Sequence, residues 1–456
     1  MRNCKSLVSL PDSICNLADL THLDLYGCSV LHNLPEKLGN LESLQVLDVG
    51  YSGIKQLPFS ILRLGNLEGD GLSCIGCKEM TAPLSAWPSS IEEYCRYSVL
   101  LHLDLSDCNL LKLSDGIAHL SSLKTLRLCR NNLESLPVTM NRLGCLTHLE
   151  LEACKRLKSI PELSSSINYI DAHDCRALEI VSRPKPQCRQ ANHFFTFSNC
   201  LQLLQTNLFR DIVETHPHSQ DIYNLRPLRL KMSLPGREVP DWFTYRRRGF
   251  SVSVELPLNL SDTNFLGFAI CAVRECQGID DDTSPLSASC LCTFKGNGGE
   301  CSFRFDLLNA VFRTDRFFSS DHMFLRYVSW SDCRLIEEGN LVNEAYTEAT
   351  FHIVVESESI TEQLRIRSCG VRFVYADPDE MLDLNMPPPQ VHVDSCETGV
   401  CFMDNPYEFT NKETERVEIS REIMSSETAE GIHTCHTLQL FPEQQIERKG
   451  EKEIWR

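Results

Sequence analysis

The sequence predicts an α/β solenoid with a curved parallel sheet, followed by an all-β sandwich and a disordered acidic tail. Three observations carry this. A leucine pattern returns at intervals of 21 to 24 residues, with one gap of 56, up to about residue 182. Short β-rich runs broken by polar turns occupy 190–375, and a polar, acidic, aperiodic stretch fills 376–456.

The pattern is clearest from Leu123 to Pro161, which holds two copies of one unit: Leu123, Leu126, Leu128, Asn131, Leu133, Leu136-Pro137, then Leu146, Leu149, Leu151, Cys154, Leu157, Ile160-Pro161. In L-x-x-L-x-L a period of two puts Leu126 and Leu128 on one face of a short strand and Thr125, Arg127 and Cys129 on the other. The Asn or Cys three residues on suits a turn whose small side chain bonds interior backbone groups, and the Leu-Pro begins the return arm. This is a leucine-rich repeat. No unit buries its own leucines, so each needs a stacked neighbour.

Marked by the second leucine of each strand, the units of the 1–182 array sit at Leu23, Leu47, Leu103, Leu126, Leu149 and Ile170. The gap of 56 implies an irregular unit and an insertion over about 69–95. Cys74-x-x-Cys77 within it has the spacing of half a zinc site, but a second pair at matching spacing is missing and no metal is assigned. Cys4, Cys28, Cys108, Cys154 and Cys175 fall at the turn position of a repeat, where a small buried residue is wanted. The chain opens in the middle of a unit, with the turn and return arm of Cys4, Leu7, Leu10 and Pro11, so it is expected to be either the back part of a longer protein or a truncated form that is marginally stable at this end.

Alternation also identifies the free strand face. Its middle row is Asp24, Asp48, Asp104, Arg127, Glu150 and Asp171; the row before it contains His22, His102, His148 and Tyr169, and Tyr26 follows Asp24. Parallel strands stack about 4.8 Å apart, which makes a mostly acidic stripe with histidines beside it. These eleven side chains are the candidate partner-binding residues, suited to a basic patch. The competing explanation is a solvated strand face in a repeat type that carries Asp there.

After Ser182-Arg-Pro-Lys-Pro the leucine period stops. Ser251 to Leu256, Phe265 to Val273, Cys301 to Phe305, His322 to Tyr327, Phe351 to Val355 and Val371 to Tyr375 read as strands of a sandwich over 190–375. Phe195 to Leu201, followed by Leu203 and Leu204, reads as a strand leading into a short helix. Leu234 to Phe243 reads as a rigid corner plugged by Trp242-Phe243, and Arg246-Arg247-Arg248 as a solvated charged run that could hold an acidic partner.

Net charge is −18, of which residues 376–456 contribute −11 through 18 acidic and 7 basic residues, so nucleic acid is not an expected partner. The start lacks the apolar segment of a signal peptide, and the longest apolar run, Phe265 to Val273, is too short for a bilayer; a cytoplasmic protein, without membrane contact and with reduced cysteines, is expected. No phosphate loop, G-x-S-x-G, H-E-x-x-H or framed Cys/His pair occurs, so no catalytic residue, cofactor or metal is assigned.

The stretches LTHLDLYGC, LHNLPEKLGNLESL and LESLP resemble the leucine-rich repeats of plant intracellular immune receptors of the Toll/interleukin-receptor-domain (TIR-NB-LRR) class. FTFSNCLQL, LPGREVPDWF, SVSVELP and FLGFAICAV are similar to the jelly-roll and immunoglobulin-like domain, C-JID, that follows the repeats in that class. The match runs over about 1–375, with Val239 where the family has Ile. The resemblance implies the ligand-sensing half of such a disease resistance receptor. Repeats and sandwich would contact a pathogen effector or guarded host protein and, with the N-terminal receptor domains in cis or trans, hold the receptor closed. The NAD-hydrolysing and nucleotide-binding domains of the class have no counterpart here, so no enzyme activity is expected. Asp383 to Pro388 (DLNMPP) matches a plant repression motif, giving the alternative of an adaptor or decoy that recruits a corepressor in the nucleus.

Overall fold

The computed structural model describes residues 1–67, 71–78, 80, 100–183, 192–203, 207–215, 228–256, 265–276, 286–296, 299–308, 318–330, 346–357 and 366–375. The tail, its DLNMPP motif and most of the expected insertion lie outside the described residues.

The repeat strands are three residues long or shorter because only the L-x-L core of each unit alternates. They are β1 (His22–Asp24), β2 (Val46–Asp48), β3 (Leu72–Ser73), β4 (His102–Asp104), β5 (Thr125–Arg127), β6 (His148–Glu150), an outer β7 (Ser159–Ile160), β8 (Tyr169–Asp171) and an outer β9 (Ile180–Val181). All pair in parallel, β7 with β9 and the others in order. The inward residues Leu47, Leu103, Leu126, Leu149 and Ile170 are 0 to 1% exposed. Each such side chain contributes about 1.5–3 kcal/mol on burial. The return arms are 3-10 turns such as Asp115–His119 and Val138–Arg142, so the arm expected as the α part of an α/β unit is 3-10. Among the described residues the α-helix is α1 (Leu208–Thr215).

Two units were hidden from leucine counting. Leu72–Ser73 is a repeat strand between β2 and β4, so the insertion expected over 69–95 does not begin at 69. Cys74 is the second inward residue of that unit and Cys77 its turn residue, which accounts for the Cys-x-x-Cys spacing. After β9, β10 (Asn192–Thr196) pairs in parallel with β8. Phe195 and Phe197 take the leucine positions and Cys200 the turn position, so the expected strand belongs to a further repeat unit, and the short helix that follows it runs from Leu208 to Thr215. Phenylalanine supplies the same inward apolar surface without matching the leucine pattern.

A left-handed residue precedes each turn cysteine or its substitute, at Asn3, Gly27, Tyr51, Gly76, Asp107, Arg130, Ala153, Asp174 and Asn199. This turns the chain so that the next side chain points inward. Cys154 Sγ donates to Leu128 O at 3.1 Å, Cys175 to Leu151 O and Cys200 to Ala172 O, each bridging to the unit before. Burial pushes the Cys154 thiol up to about 11, which keeps the donor proton in place.

Past β10 the sheet does not stop. β11 (Arg229–Pro235) pairs in parallel with β10 on one edge and antiparallel on the other with a strand of the C-terminal region. The remaining strands are β12 (Tyr245–Arg248), β13 (Ser251–Glu255), β14 (Phe265–Arg274), β15 (Leu286–Gly296), β16 (Gly299–Leu308), β17 (His322–Ser329), β18 (Tyr346–Ser357) and β19 (Ile366–Tyr375). One thirteen-stranded sheet runs β1-β2-β3-β4-β5-β6-β8-β10-β11-β17-β14-β19-β12, and a second runs β13-β18-β15-β16. All six runs read as strands lie on these elements; β11, β12 and β15 were not anticipated.

The two sheets share a core in which Phe268 of β14 meets Phe294, Phe305 and Phe351 at ring distances of 6.2, 6.1 and 5.2 Å. Ala269, Cys271 and Val273 of the same strand face the opposite way, into the core shared with the repeats, helix α1 and Phe243. Burial on both faces explains the unbroken apolar run FLGFAICAV. Its Gly267 has φ +150°, and a Cβ there would lie 2.1 Å from Val328 O. Trp242 and Phe243 plug the corner as expected, Trp242 edge-on to Phe209 of α1 and to Phe243, its Nε1 donating to Glu214 Oε1 at 2.7 Å.

Candidate functional site

Register places the candidate residues in two rows. The middle row is Asp24, Asp48, Ser73, Asp104, Arg127, Glu150, Asp171, Thr196 and Ser233. Ser73 therefore separates Asp48 from Asp104, which leucine counting had made neighbours. The other row holds His22, Val46, His102, Thr125, His148, Tyr169, Phe194 and Lys231. Phe194 and Lys231 were missed because their units lack leucine strands. The signal for Phe194 was the F-x-F-x-x-C spacing of Phe195, Phe197 and Cys200.

The aspartates have a structural task. Oδ1 of Asp24 accepts from the N–H of Tyr26 at 3.0 Å, Asp48 from Gly50 at 2.9 Å, Asp104 from Ser106 at 2.8 Å and Asp171 from His173 at 3.1 Å. Each caps the N–H two residues on, where the strand bends into its turn. The acidic stripe is thus built by repeat geometry; the side chains of Asp24, Asp48 and Asp104 are half-buried, and Arg2 pairs with Asp24 Oδ2 at 3.6 Å. Arg127 interrupts it, its Nε 3.1 Å from Glu150 Oε1. Burial raises the Glu150 carboxyl and Arg127 opposes this; burial also lowers His148, beside His102 and Arg127.

Tyr26 lies apart, under the Arg2 guanidinium at 4.3 Å and beside Tyr51 at 5.2 Å. His148, Tyr169 and Phe194 stack along the sheet, with ring distances of 5.4 and 5.7 Å and interplanar angles of 29° and 10°. They form a half-buried aromatic ladder that ends on Lys231.

Asp171 does not belong to the open surface, being 4% exposed. Next to it Thr196, Ser198 and Ser233 close a hydroxyl triangle, with the Thr196–Ser233 pair at 2.8 Å. The row continues from Ser233 to Phe324 of β17, which faces the β13-β18-β15-β16 sheet. That sheet therefore stands on the same side of the long sheet as the repeat surface and closes one end of it. The segment Phe318–His322 fastens the junction. Asn199 Oδ1 accepts from the N–H and hydroxyl of Ser319, at 2.9 and 3.0 Å, and the Asn199 N–H donates to His322 Nε2 at 2.9 Å. His322 Nδ1 donates to Ser320 O at 2.6 Å, which fixes the tautomer.

Burial, with Arg274 and His173 nearby, lowers the His322 pKa to about 4 despite the Ser320 bond. The unfolded imidazole takes up its proton near 6.5, so this contribution is complete above pH 6.5 and is lost as pH falls toward 4. At pH 5 the linked loss is about 2 kcal/mol relative to pH 7.5. Unfolding midpoints at the two pH values, for the wild type and for His322→Gln, check this; the variant should show a smaller drop because the His322 contribution is gone while those of the other groups, the lowered His148 among them, remain.

Among the described residues no helix is long and apolar enough to cross a membrane. Residues 234–380 match the C-JID domain family and 98–155 the leucine rich repeat family. Disease resistance-like protein DSC1 of Arabidopsis thaliana is 30% identical over 406 residues, 83% of this chain and 32% of that protein. TMV resistance protein N of Nicotiana glutinosa is 35% identical over 302 residues, 63% of this chain and 25% of that one. The chain thus spans about a third or less of these relatives. The solved leucine-rich repeat domain of the type III effector XopL is 22% identical with TM-score 0.35, covering 44% of this chain and 67% of that one. On its repeats, its C-JID domain and these relatives, the chain corresponds to the leucine-rich-repeat and C-JID region of plant TIR-NB-LRR disease resistance proteins.

Proposed function

We propose that this chain is the ligand-sensing part of a cytoplasmic plant immune receptor and that it grips a pathogen effector, or a host protein that the effector alters, on the surface between the repeat strands and the C-terminal sheet. The two-sheet unit acts as the jelly-roll and immunoglobulin-like module of that receptor, and the pair restrains the N-terminal domains until a ligand binds. One observation supports this most: a single sheet carries the rows from His22 to Lys231 without a break, and the second sheet stands at their end on the same side. The result is an open concave surface with an acidic half at Asp24, Asp48 and Asp104 and an aromatic end at His148, Tyr169 and Phe194. Such a surface suits a protein with basic and apolar side chains.

Asparagine substitution separates charge from capping, since the amide oxygen can still accept the N–H two residues on. The triple change Asp24→Asn, Asp48→Asn and Asp104→Asn is expected to leave the thermal midpoint within about 2 °C while weakening ligand capture roughly tenfold or more at low salt. Transient expression of the full receptor with its effector in leaf tissue, read alongside co-precipitation, tests it. Undiminished capture and cell death would remove the acidic half from the binding site.

A further inference from the structure

The far edge of the long sheet carries a feature that the ligand-sensing surface does not use. β12 is its last strand and, among the described residues, pairs with β19 alone: Tyr245 with Val371, Arg246 with Gly370, Arg247 with Cys369 and Arg248 with Ser368. Just past it the Gly249 N–H donates to Arg367 O at 2.9 Å. Hydrogen-bonded pairs alternate along an antiparallel ladder, so Arg247 and Tyr245 turn their backbone groups toward β19. Arg246 and Arg248 consequently turn theirs outward. Their side chains share one face of the strand, opposite Tyr245, whose ring packs edge-on to Phe373 in the core between the sheets.

All three arginines are exposed. Arg246 pairs with the exposed Asp241, whereas Arg247 and Arg248 have no ion-pair partner among the described residues. Charged side chains on an edge strand ordinarily keep other strands away. Three arginines do this for neutral and basic strands but attract one bearing carboxylates. Residues directly opposite in a new pair lie on one face about 5 Å apart, so carboxylates at positions i and i+2 of an added strand would meet Arg246 and Arg248.

We propose that the β12 edge is a docking site for an acidic, extended segment of a partner protein, added as a further strand with carboxylates at alternate positions. Backbone bonds to Arg246 and Arg248 supply the affinity and the arginine side chains the selection. The surface is separate from the concave face, so the site stands or falls independently of the ligand-sensing reading.

The test uses the full chain and a labelled, end-capped ten-residue peptide of alternating Asp and Val, followed by fluorescence anisotropy. The expected result is saturable binding that falls at least tenfold in the double variant Arg246→Gln, Arg248→Gln and at least fivefold for a peptide of the same composition with its aspartates in one block. Hydrogen exchange should slow at the Arg246 and Arg248 amides only when the alternating peptide is present. Equal binding of both peptides, unchanged binding by the double variant, or no binding would overturn the proposal. So would slow exchange without peptide, whether it grows with protein concentration, assigning the edge to a second copy, or does not, assigning it to another part of the same chain.

Discussion

Replacing Asn131 with alanine is expected to destabilise the repeat array by about 4 kcal/mol, because several buried backbone groups lose their partner at once. Asn131 is 2% exposed and stands where neighbouring units carry cysteine. Its Oδ1 accepts from the N–H of Cys108 at 3.2 Å and of Leu110 at 2.9 Å, and its Nδ2 donates to Leu105 O at 2.9 Å and Leu128 O at 2.8 Å. Three of these four bonds reach the preceding unit, so the side chain acts as a rivet between coils. Cysteine at 131 should recover roughly half of the loss, since a thiol can donate to one carbonyl as Cys154 does to Leu128 O. Equilibrium urea unfolding followed by far-ultraviolet circular dichroism measures both changes. A loss below about 1 kcal/mol for Asn131→Ala would mean that water replaces the amide and that the rivet adds little.

Phe268→Ala is expected to cost about 4 kcal/mol in the C-terminal region. The ring is 0% exposed, and the three rings around it belong to β15, β16 and β18, so one truncation loosens the long sheet from three strands of the shorter one. Cooperative loss of near-ultraviolet aromatic signal at lower urea reports it. Phe250→Ala, at a ring 55% exposed, should change stability by less than about 0.5 kcal/mol. Equal effects at the two positions would contradict the core as described.

The contrast between legible and hidden units has a physical cause. Leu126-x-Leu128 with Asn131, and Leu149-x-Leu151 with Cys154, state strand, turn and inward face through local spacing alone. Phe195-x-Phe197 with Cys200 states the same geometry in another side chain, and Leu72-x-Cys74 with Cys77 in a third, so counting leucines passed over the first and registered the second only as an irregular unit within a gap of 56. The acidic row was visible, but its cause was not: the capping of Tyr26, Gly50, Ser106 and His173 by the aspartates depends on where each strand bends. Asp171 shows the limit most sharply. Its place in the row follows from alternation, yet only the tertiary structure, which leaves it 4% exposed beside Thr196 of β10, removes it from the surface.

By itself the sequence determined the strands of the leucine-marked repeats, the inward face of each and six of the C-terminal strands, because these depend on side chains close together in the chain. Tertiary structure decided that β11 joins the repeat sheet to the C-terminal strands, that the second sheet stands on the side of the repeat rows and that β12 is the last strand of the long sheet among the described residues. Strand partners far apart in the chain are chosen by the total surface they bury together. No local spacing records that sum.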